Sequence, residues 1–87
     1  MLGRLRVGES VEEILKADLE LEYDALPLLK DAIAHCESVR DYVSRDLFAE
    51  ILESEEEHVD FLETQFDLIK QMGIQNYVQM QSKPVEG

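Results

Sequence analysis

Apolar side chains recur at helical spacing along most of this chain. In the first half they are separated by steps of three, four or seven residues, at Val11, Leu15, Leu19, Leu26, Leu29, Ile33 and Cys36. The second half repeats the pattern at Phe48, Ile51, Leu52, Val59, Leu62, Phe66 and Ile69. A period close to 3.6 residues is typical of helices that bury one face. The sequence therefore predicts two long amphipathic helices.

Local signals place the ends of these helices. Ser10 followed by Glu13 is typical of a capping box, and Asp41 is placed to cap the second helix. Pro27 should bend the first helix without ending it, because the apolar phase is the same on both sides. Gly73 is expected to end the second helix. We predict irregular ends at residues 1–8 and 84–87, and helices over about residues 10–39, 41–72 and 74–80.

These elements predict an all-α fold made of one domain, residues 1–87. Two long antiparallel helices form a hairpin, and a short helix follows at the C-terminal end. A two-helix hairpin of this length buries too little apolar surface to be stable alone. We therefore expect two hairpins to associate into a four-helix bundle, most simply as a two-fold symmetric homodimer.

Composition narrows the classes of function. The chain is 45% hydrophobic and 32% charged, with a formal net charge of −12, which argues against nucleic acid and anionic membranes as partners. No apolar run approaches the roughly 18 residues that a membrane span needs. The first ten residues are too short and polar for a secretory signal, and Cys36 is the single cysteine. A cytoplasmic location is therefore expected.

The candidate chemistry lies where polar residues interrupt the apolar faces. Glu22 falls on the face that Leu15 and Leu29 share, since these positions are seven residues apart. Glu55 and His58 fall on or beside the apolar face of the second helix. If the turn is near residue 40, all three side chains lie within roughly 5 Å of the same height in an antiparallel hairpin, at ~1.5 Å per residue.

Carboxylates that converge in a helical core require neutralisation. A buried Glu without a partner is costly, and two beside each other cost more. Carboxylate oxygens with an imidazole nitrogen suit iron, manganese or zinc. One hairpin supplies three ligands, whereas two hairpins supply four Glu and two His, which is the ligand set of di-iron carboxylate bundles. Two divalent cations also cancel the charge of four carboxylates.

The sequence resembles the C-terminal half of the bacterioferritins. The most specific stretch is DYVSRDLFAEILESEEEHVDFLETQFDLIKQMGIQNYVQ at residues 41–79, and LGRLRVGESVEEILKADLELEYDALPLLKDAI at residues 2–33 also matches. The resemblance implies that Glu22 and Glu55 bridge two irons and that His58 is a terminal ligand. It also implies oxidation of Fe(II) by dioxygen or peroxide, with storage of the ferric product in a 24-subunit shell.

Haem is not expected, although the resembled family binds it between subunits. The family's haem-ligating Met belongs to its first two helices, which have no counterpart in these 87 residues. The pseudo-equivalent position is Glu56, whose carboxylate cannot replace that axial thioether ligand. The expected cofactor is a dinuclear iron centre shared by two chains, with zinc or manganese as substitutes.

Several alternatives remain open at this point. Glu22, Glu55 and His58 could be catalytic ligands of a ferroxidase, ligands of a non-catalytic metal-stabilised bundle, or ordinary solvated polar groups. The chain could also be a partner subunit that completes another chain, or a fragment of a larger ferritin assembly. Neighbouring acids are expected on an exposed face, namely Asp18, Glu53, Glu56 and Glu57. His35 and Cys36 are expected to have structural roles.

Overall fold

Three helices make up the fold. The computed structural model describes the backbone of residues 4–82 and the side chains of residues 9–81. Helix α1 spans Arg4–Ser38, α2 spans Tyr42–Met72 and α3 spans Ile74–Ser82. The described part of the chain is all-α, and α1 and α2 form the predicted hairpin. The predicted irregular tail at residues 84–87 lies outside the described residues, as do residues 1–3.

Helix α1 begins earlier than the sequence predicts. The helix starts at Arg4 rather than near residue 10, so the predicted start at Ser10 is wrong and Ser10 cannot act as the N-cap. Gly8 lies inside the helix. One interior glycine costs only about 1 kcal/mol relative to alanine, which a continuing helix can tolerate. Pro27 also lies inside α1, so the helix continues through it as predicted.

The turn between α1 and α2 is fixed by its own backbone hydrogen bonds. Arg40 adopts a left-handed conformation with φ of 60°, and the N–H of Asp41 donates to the carbonyl of Cys36 at 2.8 Å. This arrangement satisfies the last carbonyls of α1. Asp41 then caps α2, as predicted, by accepting a hydrogen bond from the backbone N–H of Ser44 at 3.1 Å. Hydrogen bonding to Ser44 lowers the pKa of the Asp41 carboxyl.

A glycine separates α2 from α3. Gly73 has φ of 82° and ψ of 150°, and its N–H donates to the carbonyl of Ile69 at 2.8 Å. Only glycine adopts this backbone conformation without strain. The chain therefore leaves the helical path at Gly73, and α3 contacts both long helices.

The buried core lies between α1 and α2 and under α3. Leu62 is 1% exposed, and the other buried apolar side chains in the described region are Cys36, Val59, Ile69 and Tyr77. Tyr77 anchors α3, because its hydroxyl donates a buried hydrogen bond of 2.7 Å to Oε1 of Gln65 on α2. Gln65 also donates to the carbonyl of Phe61 at 3.3 Å. Both polar groups are thus satisfied inside the protein.

One side of the hairpin is closed by polar contacts between the long helices. The hydroxyl of Tyr23 donates to Oε2 of Glu63 at 2.5 Å. Nearer the turn, Arg45 lies 3.6 Å from Glu37 across the helices. The hydrogen bond to Glu63 raises the pKa of the Tyr23 phenol. We call this surface the closed side of the hairpin.

The opposite side is apolar and uncovered. Successive helical residues are rotated by about 100°, so Phe61 and Glu63 lie to either side of the buried Leu62. Since Glu63 meets Tyr23 on the closed side, Phe61 and Leu21 lie together on the other. This surface, the open face, carries apolar side chains that are each more than half exposed: Ile14, Leu21 and Leu28 on α1, Leu47 and Phe61 on α2.

The hairpin is elongated rather than compact. Its radius of gyration is 17.8 Å, whereas a compact chain of this length has a radius of about 12 Å. The long axis extends over 55 Å, as two long helices side by side require. A single hairpin therefore leaves much of its apolar surface in contact with water, as the sequence predicts.

We expect Tyr77→Phe to lower the free energy of unfolding by about 1–3 kcal/mol, because it leaves the buried Oε1 of Gln65 without its donor. Urea unfolding followed by circular dichroism at one fixed protein concentration measures the change. Tyr42→Phe is the matched control, since Tyr42 is half exposed. Equal stability of the two variants would contradict the anchoring role of Tyr77.

Candidate metal centre

The structure brings the three predicted ligands together. Glu22 lies near the middle of α1, and Glu55 and His58 lie one turn apart on α2. One potential ligand atom from each side chain lies within 4.8 Å of the other two. Among the residues whose side chains are described, no second group of three acidic, His or Cys side chains meets in this way. The shared height that the sequence predicts is therefore found in the structure.

Glu22 is the most enclosed of the three groups. Its side chain is 16% exposed, and Oε2 is buried without a hydrogen-bond partner. The other oxygen, Oε1, lies 3.6 Å from Nδ1 of His58, which is too long for a hydrogen bond. A buried carboxylate oxygen without a donor is costly. A cation bound beside Oε2 of Glu22 would offset this cost, which apolar neighbours cannot do.

His58 lies at the edge of the site and is partly exposed in the single hairpin. Its side chain is 45% exposed, and its ring stacks on that of Phe61 with centroids 6.5 Å apart. Phe61 belongs to the open face, so His58 borders that same surface. The reason is geometric, because His58 is three residues from Glu55 and is rotated toward the side that a second hairpin would cover.

The donor set suits a divalent transition metal, and the separation between Glu22 and His58 agrees with one. Zinc, taken as the reference ion, binds carboxylate oxygen and imidazole nitrogen at about 2.0–2.2 Å, so two donors on one ion lie roughly 3–4.3 Å apart. The observed separation of 3.6 Å between Glu22 and His58 falls inside that interval. Two carboxylates and one imidazole from a single hairpin leave coordination positions open.

The other acidic, His and Cys residues considered in the sequence have the exposure or burial that was expected of them. Asp18, Glu53, Glu56 and Glu57 are exposed, as predicted. His35 is exposed in the last turn of α1, where its carbonyl accepts a hydrogen bond from the Ser38 hydroxyl at 2.6 Å. Cys36 is buried, in agreement with its predicted core position. None of these side chains joins the three-residue group.

Two features of the site region were not expected from the sequence. The hydroxyl of Tyr23, one residue beyond Glu22, donates to Glu63 and so joins the two long helices. The open face was also missed, although Ile14, Leu21 and Leu28 follow a seven-residue spacing one position before that of Leu15 and Glu22. This second line of apolar residues indicates that α1 is apolar on two adjoining faces, and it could have predicted the open face.

Comparison with known proteins assigns the family. The ferritin-like domain matches residues 3–72, which is most of the chain. The chain belongs to the ferritin-like family. The matched region contains Glu22, Glu55 and His58 and includes the whole of both long helices.

Individual relatives are bacterial ferritins. The chain is 46% identical over 82 residues to a bacterioferritin of Brucella melitensis, which covers 94% of this chain and 51% of the relative. It is 49% identical over 78 residues to a bacterial ferritin of Synechocystis, covering 88% of this chain and 50% of that protein. A bacterioferritin of Rhodobacter capsulatus is 41% identical over 85 residues. The chain spans about half the length of the curated relatives it matches.

The ferritin-like assignment agrees with the helical architecture. The resemblance to bacterioferritins that the sequence indicates is confirmed by these relatives. Across the described helices, no stretch combines the length and hydropathy that a bilayer span requires.

We expect Glu55→Gln to weaken Mn²⁺ binding at least ~10-fold, because the neutral amide is a poorer ligand than a carboxylate. Isothermal titration calorimetry without iron measures the affinity. Glu56→Gln is the matched control, because it makes the same chemical change one position away at an exposed residue. Equal losses in the two variants would argue for unspecific attraction by the acidic surface instead of a defined centre.

Proposed function

We propose that this ferritin-like chain binds Fe(II) through Glu22, Glu55 and His58 and promotes its oxidation, in iron storage or detoxification. The observation that carries the proposal is the convergence of the three ligand atoms within 4.8 Å, next to the unpartnered Oε2 of Glu22. Family membership and the names of the bacterioferritin relatives support it. The chain's own location is expected to be cytoplasmic.

Each residue has a distinct part in this proposal. Glu22 and Glu55 attract the divalent ion and offset the charge that it gains when it becomes ferric. His58, which borders the open face, supplies a neutral nitrogen donor. Bound Fe(II) supplies the electrons that reduce dioxygen or peroxide.

The complete centre requires a second hairpin. One chain offers two carboxylates and one imidazole, whereas the dinuclear sites of four-helix bundles use twice that set. We infer that a second copy packs on the open face, so that two chains share one dinuclear iron site. A two-fold axis through the site places identical surfaces against each other, which is the arrangement of most homodimers. Higher assembly of such dimers is compatible with this arrangement.

A second candidate is a partner subunit that completes the bundle of a different chain. The observation that favours it is that the three-residue group supplies only half of the ligand set that a dinuclear four-helix bundle uses. In that case a hairpin of different sequence covers the open face and supplies the other ligands. The solution mass of the isolated chain with bound metal separates the two candidates.

Anaerobic loading with Fe(II) followed by admission of air tests the proposed oxidation. We expect rapid oxygen uptake and a rise in ferric absorbance for the unmodified chain, and at least a ~10-fold slower rate for Glu55→Ala, because one carboxylate ligand is lost. Glu53→Ala, an exposed acid on the same helix, should keep the rate.

Metal binding without oxygen uptake in the unmodified chain would instead identify a non-catalytic metal-stabilised bundle. Uptake that Glu55→Ala leaves unchanged would place the oxidation outside this centre.

A further inference from the structure

Glu22 is the ligand whose position depends on the packing of one helix against another. Glu55 and His58 share α2, so that helix alone sets their spacing. Glu22 lies on α1, and its carboxylate makes no hydrogen bond of its own, since Oε2 has no partner and Oε1 lies 3.6 Å from Nδ1 of His58. Whether Glu22 meets the other two ligands therefore depends on how α1 lies against α2.

The nearest hydrogen bond between the long helices is made by the residue after Glu22. The hydroxyl of Tyr23 donates to Oε2 of Glu63 at 2.5 Å, across 40 positions of sequence. Within the residues whose side chains are described, no other hydrogen bond joins a side chain of α1 to a side chain of α2. The ion pair of Arg45 with Glu37 lies about 22 Å from Glu22 along the helix, near the turn.

The hydrogen bond of Tyr23 is compatible with one register of the two helices. Long side chains on a helix lean toward its N-terminus, so Tyr23 and Glu63 approach each other from opposite directions along the antiparallel pair. A shift of one helical turn, about 5.4 Å, would carry the hydroxyl out of hydrogen-bond range. The register that permits this bond is also the one that brings Glu22 beside His58.

This hydrogen bond persists at neutral pH but contributes little to folding. The Glu63 carboxylate raises the pKa of the Tyr23 phenol, so the phenol keeps its proton and remains a donor. Both side chains are exposed on the closed side, where polar contacts stabilise a fold only slightly. We therefore expect its main effect in the placement of Glu22 and not in the free energy of unfolding.

We propose that Tyr23 and Glu63 are positioning residues of the metal centre, because their hydrogen bond holds α1 in the register that presents Glu22 to the ligands on α2. This inference rests on the proposed function, since it concerns the same centre. Neither residue contacts the ion. Their contribution is preorganisation, because ligands that are already in place lose less freedom when the ion binds.

Isothermal titration of the full 87-residue chain with Mn²⁺ tests this role. We expect Tyr23→Phe to weaken Mn²⁺ binding roughly 3- to 5-fold, near the upper end of what one exposed charge-assisted hydrogen bond can supply. The variant changes neither a ligand nor the net charge. Tyr42→Phe is the matched control, since Tyr42 is also about half exposed, and it should bind normally. An unchanged affinity in Tyr23→Phe overturns the proposal.

Variants of Glu63 separate positioning from simple attraction of the cation by charge. Glu63→Gln loses the charge, but its amide oxygen still accepts a hydrogen bond from Tyr23. It should therefore bind Mn²⁺ nearly as tightly as the unmodified chain. Glu63→Leu loses the acceptor as well and should show the same weakening as Tyr23→Phe. Equal losses in the two Glu63 variants would identify charge attraction and overturn the positioning role.

Tyr77→Phe is the control for a general loss of stability. It removes the buried hydrogen bond to Gln65, which joins α3 to α2 and does not involve α1. We expect Tyr77→Phe to unfold at lower urea concentration and yet to bind Mn²⁺ with unchanged affinity under conditions where it is folded. If it weakens binding as much as Tyr23→Phe does, lowered stability is the cause and the proposal fails.

A measurement without metal distinguishes failure of this inference from failure of the proposed function. In the metal-free chain, nuclear Overhauser contacts between Glu22 and the His58 ring report their approach. These contacts should be present in the unmodified chain and in Tyr42→Phe, and weaker in Tyr23→Phe. Their loss in Tyr23→Phe, with no Mn²⁺ binding by the unmodified chain, supports the register role and removes the proposed function. Mn²⁺ binding with unchanged contacts in Tyr23→Phe supports the function and overturns the positioning role.

Discussion

The enclosed carboxylate of Glu22 is the constraint on which the rest of the structure depends. It lies in the contact between two long helices, beside Glu55 and His58, and one of its oxygens has no donor. An apolar side chain at this position would give a more stable hairpin, because burying it carries no desolvation cost. A carboxyl group at this position is consistent with a centre that takes up cations.

The two surfaces of the hairpin follow from the same packing. On the closed side, Tyr23 donates a hydrogen bond to Glu63, and Arg45 forms an ion pair with Glu37. The polar groups of that surface therefore find their partners within one chain. The open face has apolar side chains and the half-exposed imidazole of His58. A four-helix bundle needs one face of this kind on each hairpin. In the proposed assembly, a second hairpin would therefore approach from the open face.

Helix α3 and the turn between α1 and α2 hold the two ends of the hairpin in place. The buried hydrogen bond between Tyr77 and Gln65 holds α3 against the far end of the hairpin. The capped turn at Asp41 fixes the register of α1 against α2 at the other end. Register matters to function because a shift of one helical turn, about 5.4 Å, would separate Glu22 from the two ligands on α2.

The sequence by itself determined the all-α hairpin, the turn at Asp41 and the convergence of Glu22, Glu55 and His58. These features depend on helical phase and on the number of residues from the turn, both of which can be counted along the chain. The start of α1 at Arg4 could not be read in this way, because a local cap signal at Ser10 competed with continued helix formation. Only the tertiary structure decided which side of the hairpin is closed and that His58 borders the open one. Those facts depend on contacts between residues 40 positions apart, such as Tyr23 and Glu63, which local patterns do not specify.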